Sequence, residues 1–72
     1  MKEKILDIMR EVFENDDLTT ECSQQNCDQW DSLHHLTLIG ELEDAFDIEL
    51  EPEEIAQMTT FDKVVEAVEA HQ

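Results

Sequence analysis

The sequence predicts an all-α fold: a small four-helix bundle of three main helices and one short one. Three observations predict it. Apolar residues recur at helical spacing in separate stretches. Some 40% of residues are apolar, with one Gly and one Pro, which suits a folded core rather than disorder. The single alternating stretch, Asp47-Ile48-Glu49-Leu50-Glu51, is too short and isolated to pair as a strand, so it reads as an extended connection.

The first helix is expected at about 3–14. Ile5, Ile8, Met9, Val12 and Phe13 form one stripe, and Glu3, Lys4, Asp7, Glu11 and Glu14 occupy the other face. Residues 15–31 then lose the period and read as a polar loop. Loops of that length are usually functional or mobile. Leu18, Cys22, Cys27 and Trp30 are its apolar groups and are expected to fold inward. The second helix is expected at about 32–46, with Leu36, Ile39, Leu42 and Phe46 on one face and Leu38 and Ala45 beside it. Either Asp31 or Ser32 sits where its N-cap belongs. Pro52-Glu53-Glu54 starts a short helix at about 52–58, with Pro in the first turn and acids facing the positive dipole end. Thr59-Thr60-Phe61-Asp62 resembles a capping box with Asp in place of Glu. It opens a last helix at about 60–70, striped by Phe61, Val64, Val65 and Val68. The whole of 1–72 reads as a single domain, and a chain this short buries only about 60% of its unfolded surface.

Charge narrows the function. The formal net charge is -16, and residues 11–62 hold 16 acids and no Lys or Arg. Phosphate backbones and anionic membrane surfaces repel such a chain, so nucleic acid and membrane are excluded as partners. No apolar run approaches the ~20 residues of a membrane span, and residues 1–15 lack the continuous apolar core of a signal peptide. Cys22 and Cys27 are expected as reduced thiols in a cytoplasmic protein. A small acidic monomer of this kind suits a module that larger, more basic proteins act on or bind.

Several constellations invite chemistry. Ser32 in the first turn of a helix points its hydroxyl toward solvent, near free backbone N–H groups that favour a phosphoester on that oxygen. The plain alternative is a helix cap. A hydrolytic role for Ser32 with His35 and Asp31 fails, because no nucleophile elbow is present and three neighbours on one turn lack opposed geometry. Cys22 and Cys27, with His34 and His35, do not match zinc-ligand spacing, since adjacent helical histidines point about 100° apart. No calcium loop is present. No metal site and no enzymatic activity are therefore expected. The outward face of the second helix carries Leu33, Thr37 and Gly40, then Glu41, Glu43, Asp44 and Asp47. It is either a solvated face or a docking surface for a basic, partly apolar patch.

Together these signals resemble a known family. Asp31-Ser32-Leu33 opening the second helix resembles the Asp-Ser-Leu signature of acyl carrier proteins. The run Leu42-Glu43-Asp44-Ala45-Phe46-Asp47-Ile48-Glu49-Leu50, then Pro52-Glu53-Glu54 and Met58-Thr59-Thr60-Phe61, is similar to the family from the end of its second helix onward. The resemblance implies a stand-alone carrier with 4′-phosphopantetheine attached to Ser32 by a phosphopantetheinyl transferase. Acyl groups would ride as thioesters between loading and processing enzymes that bear basic docking patches. It implies that Asp31 caps the helix and helps hold the transferase's magnesium, and that Leu33 contacts partners. It also implies a cargo cavity lined by Leu38, Leu42, Phe46, Leu50, Ile55, Met58, Val64 and Val68. Trp30 stands where fatty-acid-synthesis carriers usually have a small residue; His34, His35, Thr37 and Gly40 also depart from that pattern. These departures point to a specialised lipid, polyketide or related pathway. The histidines suggest a charge change near pH 6.5 beside the arm. A peptidyl or aminoacyl carrier, and an acidic helical interaction module without a prosthetic group, are the alternatives.

Overall fold

A computed structural model describes residues 2–71. Its elements run α1 (Lys2–Phe13), α2 (Ser32–Phe46), α3 (Pro52–Gln57) and α4 (Phe61–Ala70). Among the described residues there is no strand, and no helix is long and apolar enough to cross a membrane. Ile5, Met9 and Phe13 of α1, Leu38 and Leu42 of α2, and Phe61, Val64 and Val68 of α4 form the fully or almost fully buried centre.

The helix ends follow local chemistry. α1 stops at Phe13 because Glu14 turns into the left-handed region at φ 54°, letting Asn15 N–H donate to the Arg10 carbonyl at 3.0 Å. α2 stops in the same way: Asp47 has φ 54°, and Ile48 N–H reaches the Glu43 carbonyl at 3.1 Å. An acid takes the position glycine usually holds at both ends, so both helices close with some local backbone cost. α3 ends at Gln57, one residue before the expected limit, with Met58 as its buried C-cap.

Two details of capping differ from the sequence expectation. The capping box lies at α3, where the Glu51 and Glu54 side chains and backbone amides pair reciprocally. At α4 the cap is Thr60 alone, whose hydroxyl accepts the Lys63 amide at 3.2 Å. Starting the helix one residue later puts Lys63, not Asp62, at the third helical position, so no carboxylate can return the bond.

The long loop is stitched down. Leu18, Cys22, Cys27 and Trp30 are all buried. Arg10 Nε donates to the Leu18 carbonyl at 2.9 Å. Phe61 N–H donates to the Cys22 carbonyl, Gln24 N–H donates to the Thr59 carbonyl, and Ser23 and Thr60 form an isolated β-bridge. These bonds tie the loop to the α3–α4 turn and bring Trp30 onto Phe13, ring centroids 5.4 Å apart.

Candidate functional site

Ser32 is the first residue of α2 and is exposed. Asp31 is its N-cap, in an extended conformation, and its carboxylate accepts the His34 amide at 2.9 Å. The same oxygen accepts the His34 ring at 2.9 Å. The bond from the His34 amide, then the one from its ring, hold the Asp31 carboxyl below its ordinary value. The anionic cap therefore persists beside Ser32, while first-turn amides remain without intrahelical partners. Leu33 follows at 73% exposure.

The two histidines part company. His34 faces outward onto Asp31, with Phe13 edge-on to its ring at 6.1 Å. His35 turns inward and is buried. The Trp30 indole N–H donates to His35 Nδ1 at 2.9 Å, and His35 Nε2 meets the Ile55 carbonyl at 2.8 Å. Of the two, only His34 therefore faces solvent near Ser32.

This inward histidine shifts the phase of α2. The expected inner face included Leu36, but Leu36 is 63% exposed, and the buried residues are His35, Leu38, Ile39 and Leu42. Those four also fall at helical spacing. The sequence signal was present, and a polar residue at its head hid it.

On the outward side Leu36 joins Leu33, Thr37, Gly40, Glu41, Asp44 and Asp47, all exposed. A Cβ placed on Gly40 would meet nothing within 4 Å, so packing does not require glycine there. Glu43 differs from the other acids: it is half-buried, and its Oε2 accepts the Leu50 amide at 2.9 Å, which secures the α2–α3 connection.

Of the residues expected to line a cargo cavity, Leu38, Leu42, Met58, Val64 and Val68 are fully or almost fully buried, and Phe46 and Ile55 are half-buried. Met58 also borders an open groove of about 200 Å³, shared with Glu54, Gln57, Lys63, Glu66 and Ala67. The thiols of Cys22 and Cys27 are free and buried. Burial, together with the neighbouring Cys27 side chain, pushes the Cys22 thiol up to about 12. Among the described residues no three His, Cys, Asp or Glu side chains gather into a metal-sized cluster.

The chain thus combines four helices, a long anchored loop and a capped serine at the start of α2. No protein-family model matches the chain, and no curated protein matches it. Solved structures do. The chain superimposes on holo acyl carrier protein from Geobacter metallireducens with a TM-score of 0.87 and 29% identity, covering 97% of this chain and 83% of that one. A proposed acyl carrier protein from Mycobacterium tuberculosis gives 0.86 and 27%, covering 96% and 95%. Over nearly its whole length the chain has the acyl carrier protein fold, and these neighbours support its place in that family.

Proposed function

We propose that the chain is an acyl carrier that bears 4′-phosphopantetheine on Ser32 and serves a specialised lipid, polyketide or related pathway. The observation that carries the reading is an exposed serine at the first position of α2, capped by Asp31, in a chain that superimposes on a holo carrier. The residues fit the group. The hydroxyl is accessible to an outside transferase, and helix N-terminal amides favour the phosphodiester anion that results. Bound there, the arm supplies a terminal thiol that holds acyl groups as thioesters.

The chain's own residues do the rest. Asp31 fixes the first turn and offers a carboxylate to a transferase's magnesium. Leu33 and Leu36 present apolar contacts. Glu41, Asp44 and Asp47 attract Lys and Arg of a partner, which speeds encounter more than it tightens binding. Fast, weak docking suits a carrier that must leave each enzyme, and such a protein carries its substrate without transforming it. Buried free thiols fit a reducing compartment such as the cytoplasm.

Incubation with coenzyme A, magnesium and a broad-specificity phosphopantetheinyl transferase tests the reading by intact mass. The expected result is one added phosphopantetheine on the wild type and none on Ser32→Ala. An unmodified wild type, or equal modification of Ser32→Ala, overturns it.

A further inference from the structure

We infer that Trp30, His35 and the Ile55 carbonyl form a latch that positions α3 against the first turn of α2, with His35 as its positioning residue. The polarity of the chain follows from its ends. An indole nitrogen only donates and a carbonyl only accepts. Nδ1 must therefore accept and Nε2 must carry the proton, so the buried ring works as a neutral imidazole of one tautomer.

The position of this chain gives it leverage. α3 has six residues and none of them is buried. A helix so short does not hold itself together in water. Its attachments are the buried Leu50 and Met58 on either side, the half-buried Ile55, an exposed pair between Glu54 and His71 at 2.9 Å, and the bond from His35. Of the hydrogen bonds to α3, the one from His35 comes from the interior, and it comes from the turn that begins at Ser32. Trp30, the residue before Asp31, holds the other side of the same ring. The chain thus connects the candidate attachment site to α3, whose Ile55 packs against the buried core.

The charged residues adjacent in sequence to Trp30 and Ile55 have other partners. Asp31 is held by His34, and Glu54 by the Glu51 amide and His71. Arg10, the nearest α1 cation in sequence, bonds Leu18 and Asp7. In α4, no hydrogen bond or ion pair to His35 occurs among the described residues. Removing either ring nitrogen breaks the chain of bonds from Trp30 to the Ile55 carbonyl. Release frees α3 to swing from α2 and admit an acyl chain between them. This cargo role rests on the proposed carrier function; the latch itself does not.

Amide hydrogen exchange on the full chain, followed residue by residue, tests the latch. In His35→Phe, which keeps an aromatic ring and removes both nitrogens, α3 amides should exchange about tenfold faster while α1 amides hold their rates. Trp30→Phe should show the same pattern more weakly. Unchanged α3 exchange in His35→Phe, or equal acceleration in α1 and α4, overturns the latch. On the loaded chain, hydroxylamine should cleave an octanoyl thioester more slowly in His35→Phe than in wild type, and an acetyl thioester equally in both. Equal octanoyl rates overturn the cargo role. A wild type that accepts no arm defeats the carrier function, and exchange then still decides the latch.

Discussion

Asp31 receives two bonds from one neighbour: the amide and the ring of His34 both meet its Oδ1 at 2.9 Å. The pair clamps the turn that presents Ser32, and it keeps the carboxyl more acidic than usual. A carboxyl with a depressed folded value stabilises the fold above its unfolded value, about 3.9, and that contribution fades as pH falls through the folded value. Asn caps helices as well as Asp does. Urea midpoints of wild type and Asp31→Asn should therefore converge below about pH 4 and separate in favour of wild type above about pH 5. A constant difference across that range would remove the charge from the argument.

Trp30 does two jobs at once, packing on Phe13 and donating to His35. Trp30→Phe retains most of the packing and leaves His35 Nδ1 without its donor, for a loss of about 1–3 kcal/mol. Trp30→Ala also opens a cavity, for about 3–5 kcal/mol. Chemical unfolding of both variants should rank them in that order.

Gly40 and Leu36 separate folding from docking. Gly40 sits in mid-helix with open space around it, so Gly40→Ala should stabilise the fold by about 0.5–1 kcal/mol. If partners approach the helix closely there, the same variant should be modified more slowly by the transferase. Leu36→Ala should leave the thermal midpoint nearly unchanged and raise the transferase KM. Unaltered transferase kinetics in both variants would move the docking surface elsewhere.

Cys22 should resist alkylation. With its thiol raised to about 12 and its side chain buried, almost no thiolate is present near neutral pH. Iodoacetamide should label it slowly in the folded chain and rapidly in urea. Mass mapping of the alkylated peptide reads the outcome, and fast labelling without denaturant would contradict the burial.

Salt should act in opposite directions on folding and on docking. The net charge of -16 repels itself, so screening should raise the unfolding midpoint. The same screening should lower the rate of capture by a basic partner. Movement of both quantities in one direction would mean that the acids are not a docking field.

Much of this molecule is legible from local chemistry. The stripes of α1 and α4, Pro52 with its acids, and Asp-Ser at the start of α2 all act within a few residues, where spacing and capping decide the outcome. The inward fold of Leu18, Cys22, Cys27 and Trp30 was also readable, because these are the apolar groups of an otherwise polar loop. Contacts between distant residues decided the rest. Periodicity cannot choose between Leu36 and His35 as the inner edge of α2, since a histidine is counted as polar until a partner is found for both nitrogens. Trp30 and Ile55 supply those partners across five and twenty residues of sequence. With both satisfied, the imidazole enters the core without a desolvation penalty left over, and Leu36 is turned outward beside Leu33. Sequence alone thus determined the helices, the acidity and the candidate serine. The tertiary structure decided which face of α2 meets the core, because burying a polar ring depends on hydrogen bonds that form only after the chain has folded.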